Sequence, residues 1–293
     1  MTADVAPDSG RTPHARLDPS PVRVSRLDDP RLDDFRHIKD KPLLDRGLFL
    51  AEGHLVVQRL LHAHLAGTVR ARAVLLAEHR VPAFAPLVPP DVQTFIAPGR
   101  EVSRLLGFQF HSGVIGLGLV PASPPLELAL PRTGQAHLVV LPETASAENL
   151  GTLVRLAAAL GVHAVLCGPR CAHPFLRRTV RVSMGAVFGI PILRSADLHA
   201  DLHRLRHDLG VELLATVLSP DAEPLGRRPA APRSAVLFGP EGPGLAPADI
   251  AACHRRITIP MHAGIDSLNV GVAAGIVLWE LFARPYAAGP RAG

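Results

Sequence analysis

Short apolar runs alternate with longer stretches of helical period through most of the chain. In the C-terminal half, HLVVL (137–141) and VHAVLCG (162–168) are strand-like and are separated by a helical pattern. Strands that alternate with helices are typical of an α/β domain with a mainly parallel sheet. The same patterns predict further strands at 190–195, 211–218, 234–239 and 256–261, and helices at 149–161, 174–188, 197–210 and from 270 onwards.

The N-terminal half carries similar elements in a less regular order. GLFLAEG, RAVLLAEH and SGVIGLGLV are strand-like, and HLVVQRLLHAHL has a helical period. Further along the chain, prolines cluster and the periodicity is lost. We therefore expect a disordered tail over 1–21, a small α/β domain over 22–120, a linker over 121–136 and a second domain over 137–293.

A long apolar segment near the C-terminus is preceded by two polar residues. From Val270 to Trp279 every residue is apolar or glycine, which is typical of a buried helix. Ser267 and Asn269 stand directly before it, and one of them is enough to cap the helix. The other polar residue therefore indicates a role beyond folding. Glu280 interrupts the run well short of the ~20 residues that a membrane span needs, so we expect no membrane segment.

Composition and charge favour a protein of a reducing compartment. The N-terminus has no apolar signal-peptide core, and three cysteines in 293 residues do not suggest a disulfide scaffold, so we expect a cytoplasmic protein. The net charge is +5, and 29 of the 31 basic residues are arginine, which pairs with phosphates and stacks on bases. Either a polyanionic partner or a genome that favours arginine codons explains this bias.

Three predicted strands end in polar or glycine-rich loops, and ligands of parallel sheets bind at the carboxyl ends of strands. The loop after HLVVL leads to Asn149 and Arg155, the loop after AVLFG carries Glu241, and the loop after ITIPM carries Ser267 and Asn269. Alone, each loop is weak evidence, since Asn149 could be a helix cap and Arg155 a surface arginine.

Together, the three segments resemble the three motifs of the SpoU (TrmH-like) family of SPOUT RNA ribose 2′-O-methyltransferases. The matching stretches are Asn149-x-Gly151-x-x-x-Arg155, then FGPEGPGL, then IPM followed by SLNVGVAAGIVLWE, in the family's order and spacing. RVSMGAVFGIPI resembles the segment between the first two motifs. The resemblance covers about residues 137–284. A looser similarity, to the small substrate-recognition domain that often precedes the catalytic one, is found in the N-terminal segments GLFLAEGHLVVQRLL and FHSGVIGLGLV.

The resemblance implies a C-terminal α/β SPOUT domain with a parallel sheet and a trefoil knot, S-adenosylmethionine as the cofactor, rRNA or tRNA as the substrate, and a homodimer packed through the last helix. The cofactor pocket that it implies is formed by Thr216, Gly239, Ile259, Met261 and Leu268. The polar site that it implies is formed by Asn149, Arg155, Glu241, Ser267 and Asn269, without a metal ion.

The chemistry required of such a site is modest, because a sulfonium methyl group is already a good electrophile and positioning the ribose 2′-oxygen does much of the work. A guanidinium, with a pKa above ~12, is a poor base. We therefore expect Arg155 to clamp the 2′-oxygen or an adjacent phosphate, and Glu241 to hold Arg155 or its own loop. The sequence departs from the family pattern at ETASAEN, at the turn GPEG, and at Gly271, where a serine is common.

Several alternatives stay open. Histidine and cysteine residues at 163, 167, 171 and 173 suggest a metal site, but His163 and Cys167 on one strand would lie ~13 Å apart, too far to share an ion. Arg177, Arg178 and Arg181 form either a solvated face or a track for RNA phosphates. A non-catalytic RNA-binding factor with this fold is the alternative function. No G-x-G-x-x-G follows a first strand, which disfavours a dinucleotide enzyme.

Overall fold

The computed structural model describes residues 21–24, 26, 28–36, 39–106, 112–262 and 267–284. The strands are β1 (Val22–Arg23), β2 (Leu48–Glu52), β3 (Ala71–Ala77), β4 (Gln93–Ala97), β5 (Val114–Leu119), β6 (Ala136–Leu141), β7 (Ala164–Cys167), β8 (Ile192–Arg194), β9 (Glu212–Thr216), β10 (Glu223–Pro224), β11 (Arg233–Leu237) and β12 (Arg255–Thr258). The helices are α1 (Asp40–Leu44), α2 (His54–Leu65), α3 (Val81–Phe84), α4 (Gly99–Leu106), α5 (Ala147–Ala159), α6 (Arg177–Val182), α7 (Leu198–His207), α8 (Pro247–Ala252) and α9 (Val270–Leu278), and a π-helical turn (Trp279–Ala283) follows α9.

Seven parallel strands form the sheet of the C-terminal part, in the order β10-β12-β9-β11-β6-β7-β8. The central strands are buried along most of their length, as expected for a parallel sheet covered by helices on both faces. The prediction of an α/β fold with a parallel sheet is confirmed. The trefoil knot stays a prediction, and the loop residues 263–266 within the third motif lie outside the described residues.

A second sheet of five strands, in the order β1-β4-β3-β5-β2, forms the N-terminal part. β1, β4 and β3 run parallel, whereas β5 is antiparallel to both β3 and β2. β1 and β4 were not predicted from the sequence, because they are short and lack clear alternation. Residues 1–20 of the expected tail, and residues 110–111 of FHSGVIGLGLV, lie outside the described residues. The domain boundaries themselves stay a prediction.

The predicted helix over 174–188 is shorter than expected. α6 ends at Val182, and the backbone then turns through Met184 and Gly185, whose φ angles are +54° and +79°. A 3-10 turn over Ala186–Phe188 completes the segment. Two successive residues with positive φ cannot continue a right-handed helix, so the chain reverses direction here.

The two sheets share one hydrophobic core. A single cluster of buried side chains includes Val57 and Leu60 of α2 together with Leu153 of α5. Phe49 of β2 lies at the centre of the junction, with its ring centroid 4.8 Å from that of Phe175 and 5.6 Å from that of Phe188. The N-terminal unit is therefore packed onto the seven-stranded sheet rather than tethered to it.

Ion pairs surround this junction and account for the basic cluster on α6. Glu52, at the end of β2, lies 3.8 Å from Arg177 and 3.7 Å from Arg181, and Arg178 pairs with Glu148. Each of the three guanidinium groups therefore has an acidic partner. These contacts favour a structural role for the cluster over a track for RNA phosphates.

A half-buried charge network joins the amino ends of β9 and β12 to β10. The Arg255 side chain, only 10% exposed, donates to Glu223 at 2.7 Å and to Glu212 at 3.2 Å. Hydrogen bonds from Arg228 and Arg255 lower the pKa of Glu223 from 4.5 to about 2. The network lies at the edge of the sheet opposite the loops singled out by the sequence.

None of the described helices is long and apolar enough to cross a membrane.

We expect Glu223→Gln to lower the free energy of unfolding at neutral pH by about 2–3 kcal/mol, because Arg255 loses its charged partner. The pKa of Glu223 is depressed in the folded chain, so its contribution is complete above about pH 4.5 and disappears as the pH falls towards 2. Urea unfolding of the wild type and of Glu223→Gln across this pH range should give free energies of unfolding that converge at low pH. Asp45→Asn, which breaks the exposed pair with Lys41, is the control and should cost less than about 0.5 kcal/mol.

Candidate active site

A cavity of about 730 Å³ lies at the carboxyl ends of the adjacent strands β9, β11 and β12. Its volume is within the range typical of small-molecule sites. The five residues predicted to bind the cofactor all line it: Thr216, Gly239, Ile259, Met261 and Leu268. Three residues of the predicted polar site line the same cavity: Glu241, Ser267 and Asn269.

Close backbone packing shapes the wall formed by the loop after β11. A Cβ atom on Gly239 would lie 2.4 Å from the carbonyl carbon of Gly244 and from the nitrogen of Leu245. Only glycine fits where the loop folds back on itself so tightly. Next to it, the Thr216 hydroxyl donates to the Leu237 carbonyl at 2.7 Å and ties the ends of β9 and β11 together.

Asn269 joins two of the loops and begins the last helix. Its Oδ1 accepts hydrogen bonds from the backbone nitrogens of Gly271, at 2.9 Å, and Val272, at 3.4 Å, so Asn269 is the N-cap of α9. Its Nδ2 donates to Glu241 Oε1 at 3.2 Å. Asn269 therefore caps the helix, whereas the exposed Ser267 faces the cavity without being needed for the cap. Glu241 contacts Asn269 and not Arg155 in the single chain.

Asn149 and Arg155 are not brought to this cavity within one chain. α5 begins at Ala147, two residues earlier than predicted, and Ser146 caps it by accepting from the Asn149 nitrogen at 3.3 Å. The alternative interpretation of Asn149 as the helix cap is therefore wrong. Asn149 is half-buried in the first turn of α5, and Arg155 is exposed and lines a different cavity beside α2.

The packing of α9 on α5 explains one departure from the family pattern. A Cβ atom on Gly271 would lie 2.8 Å from Cγ2 of Thr152 on α5. Because Thr152 already fills this space, a serine at 271 would not fit without movement of Thr152. The two helices approach closely here, and Arg155 projects from the same helix one turn beyond Thr152.

The outer face of α9 is exposed in the single chain, although its apolar sequence alone is typical of a buried helix. Val272, Ile276 and Trp279 are 53%, 41% and 50% exposed, and their spacing places them on one side of the helix. Ala274, Val277 and Leu278 are buried on the other side. Apolar stripes on a solvent-exposed surface are typical of contact sites.

Sequence reasoning missed several residues that line the cavity. Ser219 follows β9, whose carboxyl end lies between those of β11 and β12, so the strand-end rule could have found it. Arg256 lies within β12 and also lines the cavity. No motif singled it out, because its place at the cavity depends on which strands are neighbours.

The histidine and cysteine group has structural partners instead of a common ligand. His163 Nδ1 accepts from the His137 backbone nitrogen at 3.1 Å, and Cys171 Sγ donates to the Leu141 carbonyl at 3.1 Å. A hydrogen bond that the Cys167 thiol donates to Cys171, together with burial, raises the pKa of Cys167 above its usual value. Within the described ranges, no three His, Cys, Asp or Glu side chains are arranged to hold a metal ion.

Comparisons with known proteins agree with this geometry. Residues 136–279 match the model of the SpoU rRNA Methylase family. A protein of Mycobacterium tuberculosis, described as an uncharacterized tRNA/rRNA methyltransferase, is 38% identical over 277 residues, which span 90% of this chain and 92% of that protein. The chain belongs to the SpoU methylase family.

Other members of the family extend the comparison. A 23S rRNA (guanosine-2′-O-)-methyltransferase of Acinetobacter baylyi is 31% identical over 184 residues, which span 61% of this chain and 74% of that enzyme. The crystal structure of an AdoMet-bound rRNA methyltransferase from Sinorhizobium meliloti is 26% identical, with a TM-score of 0.76, and covers 91% of this chain and 98% of that one. The predictions of an RNA methyltransferase and of S-adenosylmethionine as its cofactor are confirmed.

We expect Asn269→Asp in this SpoU family member to keep the cap on α9 but to place a second carboxylate against Glu241. The two loops should separate, and the affinity for S-adenosylmethionine, measured by calorimetry, should fall about tenfold. In the double variant Asn269→Asp/Glu241→Gln, the side chain at 241 donates and the side chain at 269 accepts. The hydrogen bond is then restored in the opposite direction, so the double variant should regain most of the affinity for S-adenosylmethionine. An equal loss in the single and the double variant would contradict this role of the Asn269–Glu241 hydrogen bond.

Proposed function

We propose that the chain transfers a methyl group to a ribose 2′-hydroxyl of rRNA or tRNA, acting as a homodimer in the cytoplasm. The observation that carries the proposal is the meeting of the second and third motifs around one cavity, with the polar edge of Glu241, Ser267 and Asn269 beside an apolar wall. An apolar wall suits the adenosine of the cofactor, and the polar edge suits a hydroxyl acceptor.

The residues of the cavity fit S-adenosylmethionine. Gly239 allows the loop after β11 to fold back tightly at the wall of the cavity, and Ile259 and Leu268 supply apolar surface there. The bound cofactor supplies a methyl group on a positively charged sulfur. The task left to the protein is to hold the acceptor oxygen in line with that methyl group.

Arg155 is suited to positioning the acceptor. Its side chain is exposed, and no acidic group among the described residues forms an ion pair with it. A planar guanidinium can donate to the 2′-oxygen and to a neighbouring phosphate at once. The 2′-oxygen takes the methyl group and releases its proton to water or to that phosphate.

A second copy of the chain would bring Arg155 to the cofactor. Within one chain, Arg155 lies apart from the cavity at the strand ends. The exposed stripe of Val272, Ile276 and Trp279 begins on α9, and α9 packs beside α5, the helix that carries Arg155. Pairing two copies through this stripe buries it and sets Arg155 of one subunit beside the cavity of the other. We propose that the trefoil knot lies in the same region and holds the loops that form the cavity.

The alternative is a non-catalytic RNA-binding factor with the same fold. Asn269 and Arg155 are both retained, and Asn269 makes the contact with Glu241 that closes the edge of the cavity. A binding factor with this fold would use Asn269 as the cap of α9, but it would not need Asn269 to contact Glu241 or Arg155 to be exposed. The geometry therefore favours the enzyme.

The acceptor atom can be tested by the alkali stability of the product. A methylated 2′-oxygen cannot attack the adjacent phosphodiester, so the linkage on its 3′ side should survive base. Labelled methyl groups transferred to total RNA from a deletion strain should appear in alkali-stable dinucleotides. Label in mononucleotides would mean that a base atom is the acceptor, and absence of label with every RNA would favour the non-catalytic factor.

Heterodimers test the shared site. Arg155→Ala and Asn269→Ala should each abolish methyl transfer in homodimers, with S-adenosylmethionine binding close to wild type in Arg155→Ala. A heterodimer of the two, purified through different tags, has one intact composite site and should recover about half of the wild-type rate. A site built within one chain predicts no recovery. Light scattering of the wild type should give about twice 31.1 kDa.

A further inference from the structure

A groove of about 610 Å³ runs between the N-terminal unit and the catalytic sheet, and we call it the Arg59–Arg155 groove. Arg59 and His62 of α2 line one side, and Arg155 of α5 lines the other. The rest of its lining consists of Thr68, Phe188 and small residues of α2, α5 and the turn over 185–189. Among the described residues, no acidic side chain lines the groove, so the charged side chains that line it are all basic.

Arg59 is fixed across the junction of the two units. Its Nη1 donates to the carbonyl oxygen of Met184, in the turn where φ is positive. This contact uses part of the guanidinium, and the side chain remains exposed to the groove. The turn and α2 therefore hold Arg59 in place before any ligand binds, which reduces the entropy lost on binding.

We propose that the Arg59–Arg155 groove binds the phosphodiester backbone of the RNA next to the methylated ribose, with Arg59 and His62 as binding residues. The inference rests on the proposed function, because it assumes that Arg155 contacts the acceptor nucleotide. A phosphate held by Arg59 in the same groove fixes the register of the strand, so that one ribose reaches Arg155.

Two comparisons within the molecule support this assignment. Arg177, Arg178 and Arg181 form a denser basic cluster, but Glu52 and Glu148 neutralise it. By contrast, the described residues provide no carboxylate partner for Arg59 or Arg155. Small side chains such as Ala63, Ala158 and Gly189 also leave room for a sugar–phosphate chain to lie between the two arginines. Aromatic residues make up only 4% of the sequence, which favours recognition of the backbone over stacking on bases.

Filter binding of end-labelled total RNA from a deletion strain tests the groove without requiring catalysis. Arg59→Gln keeps a donor for the Met184 carbonyl but removes the charge, and it should weaken binding about tenfold and reduce the slope of log affinity against log salt by about one. Arg59→Lys keeps the charge and should recover most of the affinity. His62→Ala should weaken binding less. Arg100→Gln on α4, an exposed arginine outside the groove, is the matched control and should bind as the wild type does.

The kinetics separate a binding role from a catalytic one. With labelled S-adenosylmethionine, Arg59→Gln should raise KM for RNA about tenfold and leave kcat within about twofold of wild type. Unchanged affinity and salt slope in Arg59→Gln would overturn the proposal. So would equal losses in the Gln and Lys variants together with a lower melting temperature, because Arg59 would then serve only the junction. Failure of the wild type to methylate, with RNA binding still dependent on Arg59, would sink the proposed function and leave the groove assignment standing.

Discussion

The parallel pairing of β9, β11 and β12 determines where the chemistry of this protein can take place. Since parallel strands must return through crossover connections, their carboxyl ends all meet at one edge of the sheet, and so do the loops that follow them. The second and third motifs are those loops. The opposite edge carries the charge network around Arg255, which contributes to stability and has no part in the site. Function and stability are thus assigned to different ends of the same strands.

The family resemblance was sufficient to predict part of the cavity lining. It implied Thr216, Gly239 and Leu268, and the structure places these three residues around one space. The positions of Asn149 and Arg155 were not predictable in this way. Their motif follows a strand of the same sheet, yet α5 carries Arg155 away to a different cavity, and the direction in which a helix leaves its loop depends on what it packs against.

The junction between the two units was the least predictable part of the molecule. Phe49, Glu52 and Arg59 belong to segments whose patterns indicate only a strand and a helix, and their partners lie more than a hundred residues away. Local periodicity carries no information about contacts of such long range. For a related reason, the apolar sequence of α9 predicts burial but does not say whether the covering surface belongs to the same chain.

The shared core around Phe49 has a mechanical consequence. Two units that were joined only by a linker could hinge and close over a substrate, but here the rings of Phe49, Phe175 and Phe188 and the pairs of Glu52 resist such bending. The spacing between α2 and α5 is therefore fixed by this packing. An RNA bound in the Arg59–Arg155 groove, as proposed, would have to deform to match that spacing, so the stiffness of the nucleic acid would then contribute to the discrimination between correct and incorrect sites.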